Sequence, residues 1–90
     1  MKKKRGKLEV IYDILQIIKN NRNSIKSTPL LRKSNLSSER FHEYYIELIS
    51  KGFVREIINK EGKLITLTDK GFNYLEQYKT ITSFISDFGL

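Results

Sequence analysis

The sequence predicts a mostly α fold with one β-hairpin (α+β), ordered helix, helix, helix, hairpin, helix. Three observations point to it. Apolar residues recur at three- and four-residue spacing through the first half of the chain, the period of a helix face. The period changes to two between Phe53 and Leu67, as in a half-buried strand pair. Residues that start or stop helices stand between these runs: Thr28-Pro29, Ser37, Gly52 and Thr68-Asp69.

The first helix is expected over residues 7–20, where Leu8, Ile11, Leu15 and Ile18 make one face with Ile14 beside them. The polar cluster Asn20-Asn21-Arg22-Asn23-Ser24 ends it. A short second helix, about Pro29 to Lys33, follows with Thr28 as cap and Pro29 in the first helical position, where a missing N–H costs nothing. Ser37 caps a third helix on which Phe41, Tyr45, Leu48 and Ile49 share a face, and Gly52 closes it. Tyr44 and Tyr45 read as core or core-edge residues. Phe53–Ile58 and Leu64–Leu67 then read as strands around a turn at Asn59–Lys63. Thr68 or Asp69 caps the last helix. Two short helices joined by a tight turn and followed by a hairpin make a winged helix-turn-helix with a C-terminal helix. The chain divides into a basic arm (1–6), the winged domain (7–68) and a C-terminal helix (69–90).

Charge narrows the function. The 90 residues carry a net charge of +7, unevenly placed. Lys2, Lys3, Lys4, Arg5 and Lys7 have no acidic neighbour before residue 8, and Lys19, Arg22, Lys26, Arg32 and Lys33 have none between Asp13 and Glu39. From residue 39 onward, seven basic residues face eight acidic ones. A polyanion suits this distribution, and double-stranded DNA is the partner this fold implies. A merely solvated basic surface is the plainer alternative.

Other classes have little support. No apolar run is long enough to cross a bilayer, and no signal-peptide core follows the basic start, so a cytoplasmic protein is expected. The single histidine, the lack of cysteine and the isolated glycines argue against a metal site, a cofactor or an enzyme.

"LSSERFHEYYIELISKGFV…GKLITLTDKGFNYLEQY" resembles the small archaeal winged-helix DNA-binding proteins. The likeness rests on Leu36-Ser37 opening the third helix, Tyr44-Tyr45, Leu48 to Gly52-Phe53, and Leu67-Thr68-Asp69-Lys70-Gly71 with Leu75. It implies a transcriptional regulator or a chromatin-associated, nucleoid-bound protein, some relatives of which are dimers paired through the last helix. The third helix would enter the major groove. Lys2, Lys3, Lys4 and Arg5 of the arm, with Lys26, Ser27, Thr28, Arg32 and Lys33 of the second helix, would lie on phosphates.

Within the third helix, Ser37, Ser38, Arg40 and His42 point away from the apolar face, and Arg is the commonest reader of guanine. Arg40 has a structural alternative, pairing with Glu39 or Glu43. Lys60 and Lys63 at the wing have a DNA-contacting reading and a solvated one. Glu39 and Glu43 lie on or near the exposed face and argue against strong, sequence-blind binding through this helix. Glu47 lies a turn later, where such a helix leaves the groove. Glu43 has a structural alternative as partner to a Lys or Arg of another element. Tyr74, Tyr78, Ile81, Ile85 and Phe88 step as a heptad seam, which predicts a homodimer unless the helix folds back on its own chain. A rival function for the whole chain is a protein-interaction module without DNA binding.

Overall fold

The computed structural model describes residues 5–90 and contains six elements: α1 (Lys7–Asn20), α2 (Ser27–Ser34), α3 (Ser38–Ser50), β1 (Val54–Asn59), β2 (Gly62–Leu67) and α4 (Asp69–Asp87). α1 is the central helix. Its Val10, Ile11, Ile14, Leu15 and Ile18 are buried together with Ile25, Leu30, Phe41, Leu48, Val54, Ile65, Leu67 and Leu75, so every other element contributes to one core. The buried stripe is centred on Val10, Ile11 and Ile14. Leu8, expected on it, falls to its rim and stays exposed.

α2 starts earlier than the Thr28-Pro29 signal predicts. Lys26 occupies the N-cap without a side-chain hydrogen bond, and Ser27 is the first helical residue. Pro29 therefore sits in the first turn. The N–H groups of that turn have no intrahelical acceptor, so proline removes nothing there. α2 ends at Asn35, left-handed at φ 59°, and the tight turn Asn35-Leu36-Ser37 leads into α3.

β1 and β2 pair antiparallel from Val54↔Leu67 to Asn59↔Gly62, leaving only Lys60-Glu61 to connect them. The Asn59 side chain accepts from the Glu61 N–H at 2.8 Å, and Gly62 takes φ 113° beyond it. This hairpin is tighter than the turn expected at residues 59–63. The free edge of β2 is covered by Ile25, whose N–H and C=O both bond to Ile65, at 3.1 and 2.8 Å. The Asn23 side chain then accepts from the Leu67 N–H at 2.8 Å. The polar segment after α1 thus continues the sheet as a one-residue third strand.

The junction of α3 with α4 explains the glycines and the threonine flanking it. Gly52, at φ 76°, donates to the Ile49 carbonyl at 3.1 Å, and Phe53 donates to Leu48 at 2.9 Å, a doubly bonded helix end that needs a left-handed residue. The Thr68 hydroxyl accepts from the Gly71 N–H at 3.1 Å and donates to the Gly52 carbonyl at 2.5 Å. It caps α4 and ties that helix to the end of α3. At Gly71 a β-carbon would lie 2.3 Å from the Phe53 carbonyl oxygen, so only glycine lets the helices approach this closely.

Candidate nucleic-acid interface

α3 packs against α2 and β1, with its core side turned into the shared core. Ser37 caps it, accepting from the Arg40 N–H at 3.2 Å, so that hydroxyl is committed to the backbone. Phe41 and Leu48 are buried, with Tyr44 and Tyr45 half-buried beside them. The Tyr45 ring stacks on Phe41 and its hydroxyl donates to Glu56 of β1. Burial, then the adjacent carboxylate, pushes the Tyr45 phenol up, and the same hydrogen bond holds Glu56 below the usual carboxylate range. Ile49, expected on the apolar face, is 37% exposed, because one residue beyond Leu48 the helix has turned about 100° toward solvent.

The three glutamates of α3 separate into two kinds. Glu47 is pinned between Lys7 of α1 and Lys51, each at 2.9 Å, and these two ammonium groups lower its pKa. Glu39 and Glu43 form no ion pair among the described residues. With Ile46 and Ser50 they make an exposed stripe, spaced by four, three and four residues, on the side of α3 opposite Phe41 and Leu48. Arg40 lies on the flank toward α1. Its guanidinium rests 5.9 Å from the centre of the Tyr44 ring and reaches the Tyr44 hydroxyl at 3.5 Å, so it pairs with neither Glu39 nor Glu43. Lys7, Arg40, Glu43, Tyr44 and Glu47 together line a shallow depression there. Ser38 and His42 are exposed on the other flank, the side of the helix shared with Tyr45 and the hairpin.

The elements next to α3 carry exposed cations. Lys26, Ser27 and Thr28 are exposed at the start of α2, and Arg32 and Lys33 at its end. None of these cations, nor Lys60 at the wing tip, forms an ion pair among the described residues. Lys63 is drawn back along the hairpin to Glu56 at 3.3 Å. Arg5 is held to the domain, donating to Asp13 at 2.9 Å and to the Ser34 carbonyl at 3.0 Å. Lys2, Lys3 and Lys4 lie outside the described residues.

The expected dimer seam is divided. Tyr74 donates to the Leu8 carbonyl at 2.7 Å and meets Phe53 edge-on; burial pushes its phenol up to about 12. Tyr78 stacks on Tyr12 of α1 at 4.4 Å between centroids. Both therefore serve their own chain. Ile81, Ile85 and Phe88 are exposed, as is Phe84, whose ring lies 4.7 Å from that of Phe88. Among the described residues no helix is long and apolar enough to cross a membrane, and no group of histidine, aspartate or glutamate is placed to hold a metal ion.

The sequence profile of the winged helix-turn-helix family matches residues 4–86. The chain belongs to the winged helix-turn-helix family. Two solved structures share the fold of this winged-helix chain. Sso10a-2, a DNA-binding protein from Sulfolobus solfataricus, is 18% identical with a TM-score of 0.75, over 93% of this chain and 85% of that one. F93 from STIV, a winged-helix DNA-binding protein, is 21% identical with a TM-score of 0.74, over 88% and 91%. No curated protein matches the chain.

Reading by charge and residue type singled out Arg40, Ser38 and His42 on α3. It passed over Ile46, although the four-three-four spacing from Glu39 to Ser50 places that isoleucine at the centre of the outward stripe.

Proposed function

We propose that this winged-helix protein binds double-stranded DNA, as a transcriptional regulator or chromatin-associated factor, with α3 in the major groove. The observation that carries the reading is the exposed outer face of α3 in a domain whose α2 and wing carry exposed cations, Lys26, Arg32, Lys33 and Lys60, without an ion pair among the described residues. Lys26, Ser27 and Thr28 stand at the N-terminus of α2, where free backbone N–H groups and the helix dipole favour a phosphate. Arg32, Lys33 and Lys60 extend the phosphate track. The two solved structures of like fold are DNA-binding proteins by description, which supports the same use of this scaffold. A DNA-bound protein of this kind would reside with the nucleoid.

Glu39 and Glu43 favour selectivity over affinity. Attraction comes from phosphate contacts, and acids over the bases penalise sites that offer no donor to meet them. Fluorescence anisotropy on random duplex DNA across a salt series tests the reading. Binding should weaken with salt at a slope of about 0.9 per phosphate contacted. Absence of binding at low salt would leave the protein-interaction module as the function.

The same reading includes a homodimer through the end of α4. Ile81, Phe84, Ile85 and Phe88 form its seam, while Tyr74 and Tyr78 keep their intrachain roles. Two copies would present two α3 helices to half-sites about 34 Å apart, one helical turn of DNA.

A further inference from the structure

Ile46 is 53% exposed at the middle of α3, although the side chains beside it on the outer stripe, Glu39, Glu43 and Ser50, are all polar. Ile46 and its neighbour Ile49, 37% exposed on the flank toward the hairpin, offer a small apolar area, whereas the docking centres of protein partners are clusters of large side chains. Such an area fits a surface that is itself mostly polar with isolated apolar points. The major-groove edge of duplex DNA is such a surface, and its apolar point is the C5-methyl group of thymine.

We propose that Ile46 is a specificity-determining residue that packs against the methyl group of one thymine in the major groove. This rests on the DNA-binding reading above and adds to it which base the helix selects. Two features support the placement. Ile46 lies opposite the buried Phe41 and Leu48, so it is among the residues of α3 farthest from the domain. The exposed cations of α2 and the wing tip belong to other elements, and the outer stripe of α3 itself, Glu39, Glu43, Ile46 and Ser50, carries none.

The test removes one methyl group from the DNA. A preferred duplex is selected from a random pool, and each thymine is replaced in turn by deoxyuridine, which differs only at C5. With the full chain, one replacement should weaken binding about fourfold, the worth of one buried methyl-sized group. The same replacement should have no effect on the Ile46→Ala protein, while the salt dependence of both proteins stays alike. Ile46 is exposed, so the variant keeps its fold, which circular dichroism checks. Binding that is indifferent to every deoxyuridine, or a deoxyuridine loss that persists in Ile46→Ala, overturns the assignment and leaves DNA binding intact. Failure to bind any duplex overturns the DNA-binding reading, and this assignment with it.

Discussion

The C-terminal segment divides into Asp69–Tyr78, with four aromatic or aliphatic residues, and Lys79–Leu90, with five, and the two parts have opposite surroundings. From Asp69 to Tyr78 the helix lies on the domain: Gly71 and Leu75 are buried, Tyr74 is bonded to α1 and Tyr78 is stacked on Tyr12. From Lys79 to Leu90 every residue is exposed, including Ile81, Phe84, Ile85 and Phe88. The helix continues past the last surface its own chain provides. A continuous apolar pattern along a helix therefore does not imply one continuous contact. The first half completes the core of a monomer, and the second half offers an unfilled surface that we assign to a second copy.

The largest effect that sharpens this contrast belongs to the packed half. Leu75→Ala removes a side chain that is 2% exposed and leaves a cavity among α1, α4 and the hairpin, so urea denaturation should show a loss of about 2–5 kcal/mol. A loss well below that would mean that α4 is only loosely attached and that both halves are peripheral.

The next effect concerns the bare half. Replacing Ile81 and Ile85 together with lysine should abolish self-association in sedimentation equilibrium at micromolar concentration. Each isoleucine is worth roughly 1.5–3 kcal/mol when fully buried in an interface. The stability of the isolated domain should stay within about 0.5 kcal/mol, as for other exposed substitutions. A monomeric parent protein would remove the dimer and the paired half-sites.

The smallest effect lies away from α4, in the ion pairs at the foot of α3, and it depends on pH. Lys7, and after it Lys51, hold Glu47 below its ordinary value of 4.5, so folding favours the carboxylate. That contribution is complete above about pH 4.5 and is lost as the pH falls through the lower folded-state value. Glu47→Gln should therefore be less stable than the parent at neutral pH. The two proteins should converge in acid, as followed by denaturant unfolding on both sides of pH 4.5. A constant difference at all pH values would show that the side chain acts through packing and not through charge.

The sequence by itself determined the order of elements and most of their ends. Ser37, Gly52 and Thr68 act on backbone groups within a few residues of themselves, so their roles as helix start, stop and cap were legible locally. The change of period from helical to alternating likewise placed the wing, because both periods follow from backbone geometry alone. Only the tertiary structure decided which charges remain free and which apolar residues remain bare. Glu47 is neutralised by Lys7, forty residues earlier in the chain, while Glu43 on the same helix has no ion pair among the described residues. Ile25, just after the segment that reads as a polar turn, closes the edge of β2 through Ile65. Tyr78 stacks on Tyr12 and Ile81 stays 56% exposed, although both stand on one heptad seam. The physical reason is common to all three cases. Capping and periodicity are short-range and repeat wherever the residues do, whereas neutralisation and burial depend on what a distant part of the chain brings within a few ångströms.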